Sequence, residues 1–112
     1  MRNVVFYDAE TDDLLISCKS EDERVKKNFM FDDFIISVTD EGKIVGLEIR
    51  NVSRFLEENG INPELLTRFK EIELNITPKS SFVKIALSFD MPDKENIIRR
   101  KIPITHIPLE RF

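Results

Sequence analysis

Asp8, Glu10, Asp12 and Asp13 stand close together near the start of the chain, and the first three alternate. That spacing is how a helix-loop-helix calcium loop presents its oxygen ligands. Such a loop also needs Gly at its sixth position and Glu at its twelfth. Counted from Asp8, those positions hold Asp13 and Lys19, so the ligand pattern is incomplete. The competing reading is a solvated turn, which Asp and Thr favour because their side chains hydrogen-bond nearby backbone. Glu48 extends the metal reading: with Asp8 or Asp12 it would form an acidic pair for acid–base work or for a magnesium ion. Otherwise it is an exposed strand residue paired with a Lys or Arg. The metal candidates are therefore Asp8, Glu10, Asp12 and Glu48.

Other reactive residues are sparse. Cys18 is the only cysteine and His106 the only histidine, and neither lies in a context that activates it, so a Cys–His nucleophile requires the fold to join the chain ends. Arg99, Arg100 and Lys101 form the most basic cluster, suited to a phosphate or acidic-partner contact. The same three residues also suit a charged edge strand that resists edge-to-edge pairing. Phe29, Phe31 and Phe34 would serve as a stacking platform for bases if basic residues interleaved with them. None do, and their alternation fits core packing.

The elements that must position these residues are legible from periodicity. Phe34, Ile36 and Val38, then Val45, Leu47 and Ile49, recur every second residue, the period of half-buried strands. Asp40-Glu41-Gly42 between them reads as a three-residue hairpin loop with Gly in the left-handed conformation. Gly46 inside the second strand marks a bulge or the close approach of another element. At Val52, Phe55 and Leu56 the period becomes helical, with Asn51 or Ser53 available as cap and Gly60 as stop.

Val4–Tyr7 and Leu14–Cys18 form a first hairpin, and residues 19–28, rich in mixed charge, read as a loop joining it to the next. Asp32 and Asp33 suggest a bulge or exposed edge. Asn62-Pro63 starts a second short helix. Two strands follow, from Glu71 to Thr77 and from Phe82 to Phe89, then a loop over Met91–Asn96. The last strand, Ile97–Thr105, is demoted to an edge by Pro103. The tail from His106 to Phe112 ends on an aromatic that would dock on its own core or on a neighbouring subunit.

Two stretches together resemble a known family. Tyr7-Asp8-Ala9-Glu10-Thr11-Asp12-Asp13-Leu14-Leu15-Ile16, followed by Asp40-Glu41-Gly42-Lys43-Ile44-Val45-Gly46-Leu47-Glu48-Ile49 and Asn51-Val52-Ser53, are similar to the domain of unknown function family DUF2283. The resemblance covers roughly the first half of the chain. Leu15 stands where family members usually carry an aromatic and Val52 where they carry Ala. The family has no established activity, so the resemblance implies a fold and no catalytic residues. Some relatives are encoded beside toxin-like proteins, which implies an antitoxin-like partner role.

Composition narrows the rest. A chain of 112 residues with 41% hydrophobic residues fits one domain, 1–112, with 1–60 family-like and 61–112 adding a helix and strands. Charged residues reach 34%, and Gln and Trp are absent, a bias of heat-adapted proteins. A net charge of -4 disfavours non-specific nucleic-acid binding. One cysteine rules out an internal disulfide, and no apolar run approaches the ~20 residues of a membrane span. With no signal-peptide pattern at the start, cytoplasmic residence is the expectation.

The expected fold is α+β: a mainly antiparallel sheet of about seven strands built from hairpins, with short helices near 53–59 and 63–69 packed on one face. The leading functional expectation is a non-enzymatic module that binds itself, as a homodimer, or a protein partner, with no cofactor. The alternative is a metal-binding protein or metal-assisted hydrolase built on the acidic loop.

Overall fold

The computed structural model describes residues 3–69, 71–93 and 96–108. Its elements follow in the order β1 (Val4–Asp8), β2 (Asp13–Ser17), β3 (Val25–Phe31), β4 (Phe34–Thr39), β5 (Ile44–Ile49), α1 (Val52–Glu58), a 3-10 turn (Pro63–Thr67), β6 (Glu71–Pro78), β7 (Phe82–Asp93) and β8 (Asn96–Pro108). The chain divides into two compact units, Met1–Thr67 and Arg68–Phe112. The α+β class and the antiparallel pairing stand. The seven strands of the expected single sheet are eight, in two sheets ordered β1-β2-β5-β4-β3 and β6-β7-β8.

In the first unit the two hairpins nest. β2 pairs with β5, not with the strand that follows it, so the β3–β4 excursion is an insertion between two bonded neighbours. The register puts Leu14, Ile16, Ile36, Leu47 and Ile49 on one face, and all are buried. The β4–β5 turn forms as its sequence requires. Thr39 N–H donates to Lys43 O at 2.9 Å, Gly42 N–H donates to Thr39 O at 3.0 Å, and Gly42 takes φ +80°. Only a residue without Cβ does this without strain.

Two local readings are corrected and a third is borne out. The charged run after Lys19 is not all loop, since Val25–Asn28 begin β3. A strand at a sheet edge needs few apolar side chains, so polar composition concealed it. Asp32 and Asp33 are the turn joining β3 to β4, with Asp32 at φ +47°, and the bulge falls between Val25 and Lys27. Phe31 and Phe34 face one another across that turn, their rings stacked at 5.3 Å. Finally, Gly46 does mark a bulge: Ser37 pairs with Gly46 and Val38 with Ile44, leaving Val45 as the extra residue of β5. The nearest atoms to an added Cβ are Ser37 Cβ at 3.4 Å and Ile16 O at 3.5 Å, both in flanking strands. Ala would fit there in ordinary contact. Because Ala loses less backbone entropy on folding, Gly46→Ala is expected to stabilise by about 0.5–1 kcal/mol in chemical denaturation.

Helix α1 ends as its sequence predicts. Gly60 N–H donates to Glu57 O at 3.0 Å and Ile61 N–H to Leu56 O at 2.8 Å, the paired bonds of a Schellman stop, with Gly60 at φ +72°. The second helix is shorter than expected, a single 3-10 turn. Asn62 Oδ1 accepts from Glu64 N–H at 3.0 Å, so the Asn-Pro start works, but Thr67 Oγ1 bonds back to Glu64 O at 2.8 Å and the element stops there.

In the second unit β7 is the central strand. Val83, Ile85, Leu87 and Phe89 make its buried face, with Ile72 and Leu74 beside them on β6. β7 and β8 run beyond the expected ends, so Met91 and Pro92 are paired residues, not loop; Lys94 and Glu95 lie outside the described residues. β8 is an edge strand, as Pro103 demands. Ile85 pairs with Thr105 and Ala86 with Pro103, leaving Ile104 as the extra residue of a bulge. One inserted residue inverts the alternation beyond it, so Ile102 and Ile107, on either side of the bulge, are both buried, while Ile98, which pairs with Met91 past the buried Phe89, is 42% exposed. The aromatic Phe112 of the expected docking tail lies outside the described residues.

Candidate functional site

Asp12 organises the first unit. Its carboxylate accepts from the Tyr7 hydroxyl at 2.8 Å and the Ser53 hydroxyl at 2.7 Å on Oδ1, and from Ser53 N–H at 3.2 Å on Oδ2. Its backbone oxygen accepts Val52 N–H at 3.0 Å. The first two amides of α1 are thus satisfied by a residue from the first hairpin. Asn51 and Ser53 do not cap the helix from within. Asn51 is left-handed at φ 54° and makes no side-chain cap bond, and its amide reaches Asp33 at 3.4 Å instead. A cap supplied from distant sequence leaves no local signature, which is why periodicity missed it. The contact with Asp12 pushes the Tyr7 phenol up from its ordinary range, because a carboxylate acceptor favours the protonated hydroxyl.

The remaining acids are placed separately. Asp8 Oδ1 accepts Glu10 N–H at 3.0 Å, an Asx turn that shapes the β1–β2 loop. Glu48 lies on the other face of β5 from Leu47 and pairs with Arg50 at 3.5 Å. Among the described residues no group of three or more His, Cys, Asp or Glu side chains is gathered in a way that could hold a metal ion.

Cys18 follows β2 in the first unit and His106 lies on β8 in the second, where its ring sits 5.1 Å from Phe82. Burial pushes the Cys18 thiol up, opposed in part by Lys43. Arg99 is turned to its own sheet: it binds Asp90 at 2.8 and 3.2 Å and lies 3.6 Å from Glu73. That pairing raises Arg99 and holds Asp90 below the usual carboxylate range. Arg100 and Lys101 are exposed on the same edge strand.

Glu23 anchors the β2–β3 connection. It accepts from Ser20 N–H and Ser20 Oγ, both at 2.9 Å, and pairs with Lys43 at 3.0 Å. The Ser20 amide first, then Lys43, lower its pKa from 4.5 to about 2. A depressed carboxylate stabilises the fold in full above its unfolded pKa and progressively less as pH falls through the folded value. This contribution is therefore expected to fade between pH 4.5 and about 2. A carboxyl NMR titration giving Glu23 a midpoint above 4 would refute the assignment.

The sheet face opposite the core is the other concentration of unusual chemistry. Register aligns Phe6, Leu15, Glu48, Ile35 and Met30 in one row across five strands, and Val4, Ser17, Gly46, Ser37 and Asn28 in the next. Four of these are large and exposed: Val4 at 65%, Phe6 at 58%, Leu15 at 41% and Met30 at 66%. A groove of about 410 Å³ runs over Gly46, between Ile35, Leu15 and Met30. The missing side chain at Gly46 deepens its floor.

A five-stranded antiparallel sheet with its following helix tied to the first hairpin by one carboxylate defines a small α+β module. Residues 5–53 match the model of the family described as a protein of unknown function, DUF2283, bearing out the resemblance over the first half of the chain. The matched span contains all three side chains of the clasp, Tyr7, Asp12 and Ser53. Of the two departures from the family pattern, Leu15 lies on the exposed face and Val52 is fully buried. No curated protein and no solved structure matches the chain. Among the described residues no helix is long and apolar enough to cross a membrane.

Proposed function

We propose that the protein is a non-enzymatic, cytoplasmic interaction module that associates with itself as a homodimer or with a protein partner. One observation carries this reading: the apolar side chains Phe6, Leu15 and Met30, exposed, and Ile35, half-buried, in one row broken only by Glu48, with Val4 beside it, on a sheet face that presents a groove. A concentration of exposed apolar side chains on a small protein marks a binding surface, because leaving them in water forfeits about 25 cal/mol per Å².

An antitoxin-like role is the partner reading that the family resemblance favours. The charge-rich, Gln-free composition supports a heat-adapted source, which a melting midpoint of 45–65 °C, the ordinary range of roughly that span for mesophile domains, would refute. Residues 1–112 form one domain in this reading, expected to unfold in a single calorimetric transition; two resolved transitions would overturn it.

The test is native mass of the purified protein together with affinity capture from native lysate, with and without nuclease. A dimeric mass, or a stoichiometric protein retained after nuclease, supports the module. A monomer that captures nothing refutes it. A saturable rise in melting temperature with calcium or magnesium would instead restore the metal reading at the acidic loop.

A further inference from the structure

We infer that the open edge of β1 is the self-association surface, and that it pairs antiparallel with β1 of a second copy to continue two five-stranded sheets as one of ten strands. This rests on the self-association reading above and names its surface. A strand at a sheet edge presents alternate N–H and C=O groups without partners, and proteins guard such edges with charge, proline or bulges.

The described sheets have four edges. β3 carries Lys26 and Lys27 and a bulge between Val25 and Lys27. β6 carries Glu71 and Glu73 and ends at Pro78. β8 carries Arg99, Arg100, Lys101 and Pro103, and its pairing with β7 is bulged. β1 has no lysine, proline or bulge, and its one charge, Asp8, is its last residue. It reads Val4-Val5-Phe6-Tyr7 before Asp8, pairs with β2 through five residues in unbroken register, and exposes Val4 and Phe6.

The occupant follows from the same comparison. Every other edge of a second copy is charged or broken, so β1 is the one that fits β1. Two-fold pairing is also closed: it uses the same strand on both copies, and the edges it leaves at the two ends are both β3, charged and bulged. A two-fold axis normal to the sheet keeps like faces on the same side. The register that pairs all five residues then sets Phe6 opposite the second copy's Phe6, Val5 opposite its Tyr7 and Val4 opposite its Asp8. The Phe6 rings meet at the axis, and the exposed apolar row continues from one sheet into the next. Five paired residues cover less than the roughly 800 Å² per partner of a standard interface, so the dimer is expected to be weak, with a dissociation constant on the order of micromolar.

Sedimentation of the full chain over a concentration series tests this, alongside Phe6→Lys and Met30→Lys. Both substitutions replace exposed side chains at opposite edges of the same face, and far-UV circular dichroism checks that each folds. The expected result is a concentration-dependent dimer abolished by Phe6→Lys and retained by Met30→Lys. Phe6→Cys in a Cys18→Ser background is expected to form an intermolecular disulfide on mild oxidation, since opposed Cα atoms stand about 4.5–5.5 Å apart. A dimer lost with Met30→Lys but kept with Phe6→Lys, and no disulfide, would overturn the edge pairing in favour of face-to-face packing while leaving self-association intact. A wild-type monomer throughout would overturn both.

Discussion

Asp12→Ala is expected to lower the unfolding free energy by about 3 kcal/mol, read as a shift in the denaturation midpoint at unchanged slope. Two effects add. The substitution removes the acceptor of three hydrogen bonds, leaving Tyr7, the Ser53 hydroxyl and the Ser53 amide to find water in a half-buried site. It also places Ala at φ +59°, a left-handed conformation that costs an L-residue with Cβ roughly 1 kcal/mol or more. Asp12→Asn separates the two. Asn tolerates the left-handed backbone and keeps one oxygen acceptor, so its loss is expected to be about 1 kcal/mol. Equal losses for Ala and Asn would mean that the carboxylate charge, not the backbone or the bond count, holds the helix. Tyr7→Phe removes a single bond and is expected to cost about 1 kcal/mol.

Leu56→Ala is expected to cost about 3–4 kcal/mol, within the range for emptying a closed apolar site. Leu56 is fully buried, and its carbonyl also receives the Ile61 amide at the helix stop. A seven-residue helix has no independent stability in water, so α1 exists only while it is attached. Asp12 holds its first turn and Leu56 its last. The double variant Asp12→Ala/Leu56→Ala is therefore expected to lose less than the sum of the singles, by about 1 kcal/mol, because a helix released by one substitution has less left to lose from the other. Strict additivity in that cycle would show that the two attachments act independently.

Much of the fold was legible because its causes are local. Alternation placed Phe34–Val38 and Val45–Ile49 as strands, Gly42 and Gly60 were turn and stop because each backbone angle there suits Gly, and Pro103 confined β8 to an edge. Where the reading failed, the cause lay elsewhere in the chain. Lys26–Asn28 are polar because an edge strand is solvated, and nothing in their own order says that β4 will lie beside them. The inversion at Ile104 depends on how β7 meets β8. The site residues divide the same way: the acids of the β1–β2 loop stood out by spacing, but their spacing resembled a metal loop, and only geometry gave Asp12 its hydrogen-bond partners.

The sequence by itself determined the strand and turn types, the resemblance over the first half and a surface dense in mixed charge. These follow from side-chain period, glycine position and composition, which act over a few residues. The tertiary structure alone decided that β2 lies beside β5, that the acid at position 12 closes a helix beginning 40 residues later, and that Phe6, Leu15, Ile35 and Met30 line up across one exposed face. Each of these is a meeting of residues far apart in the chain, set by the burial of Leu14, Ile16, Leu47 and Ile49 on a common face, and no local preference encodes it.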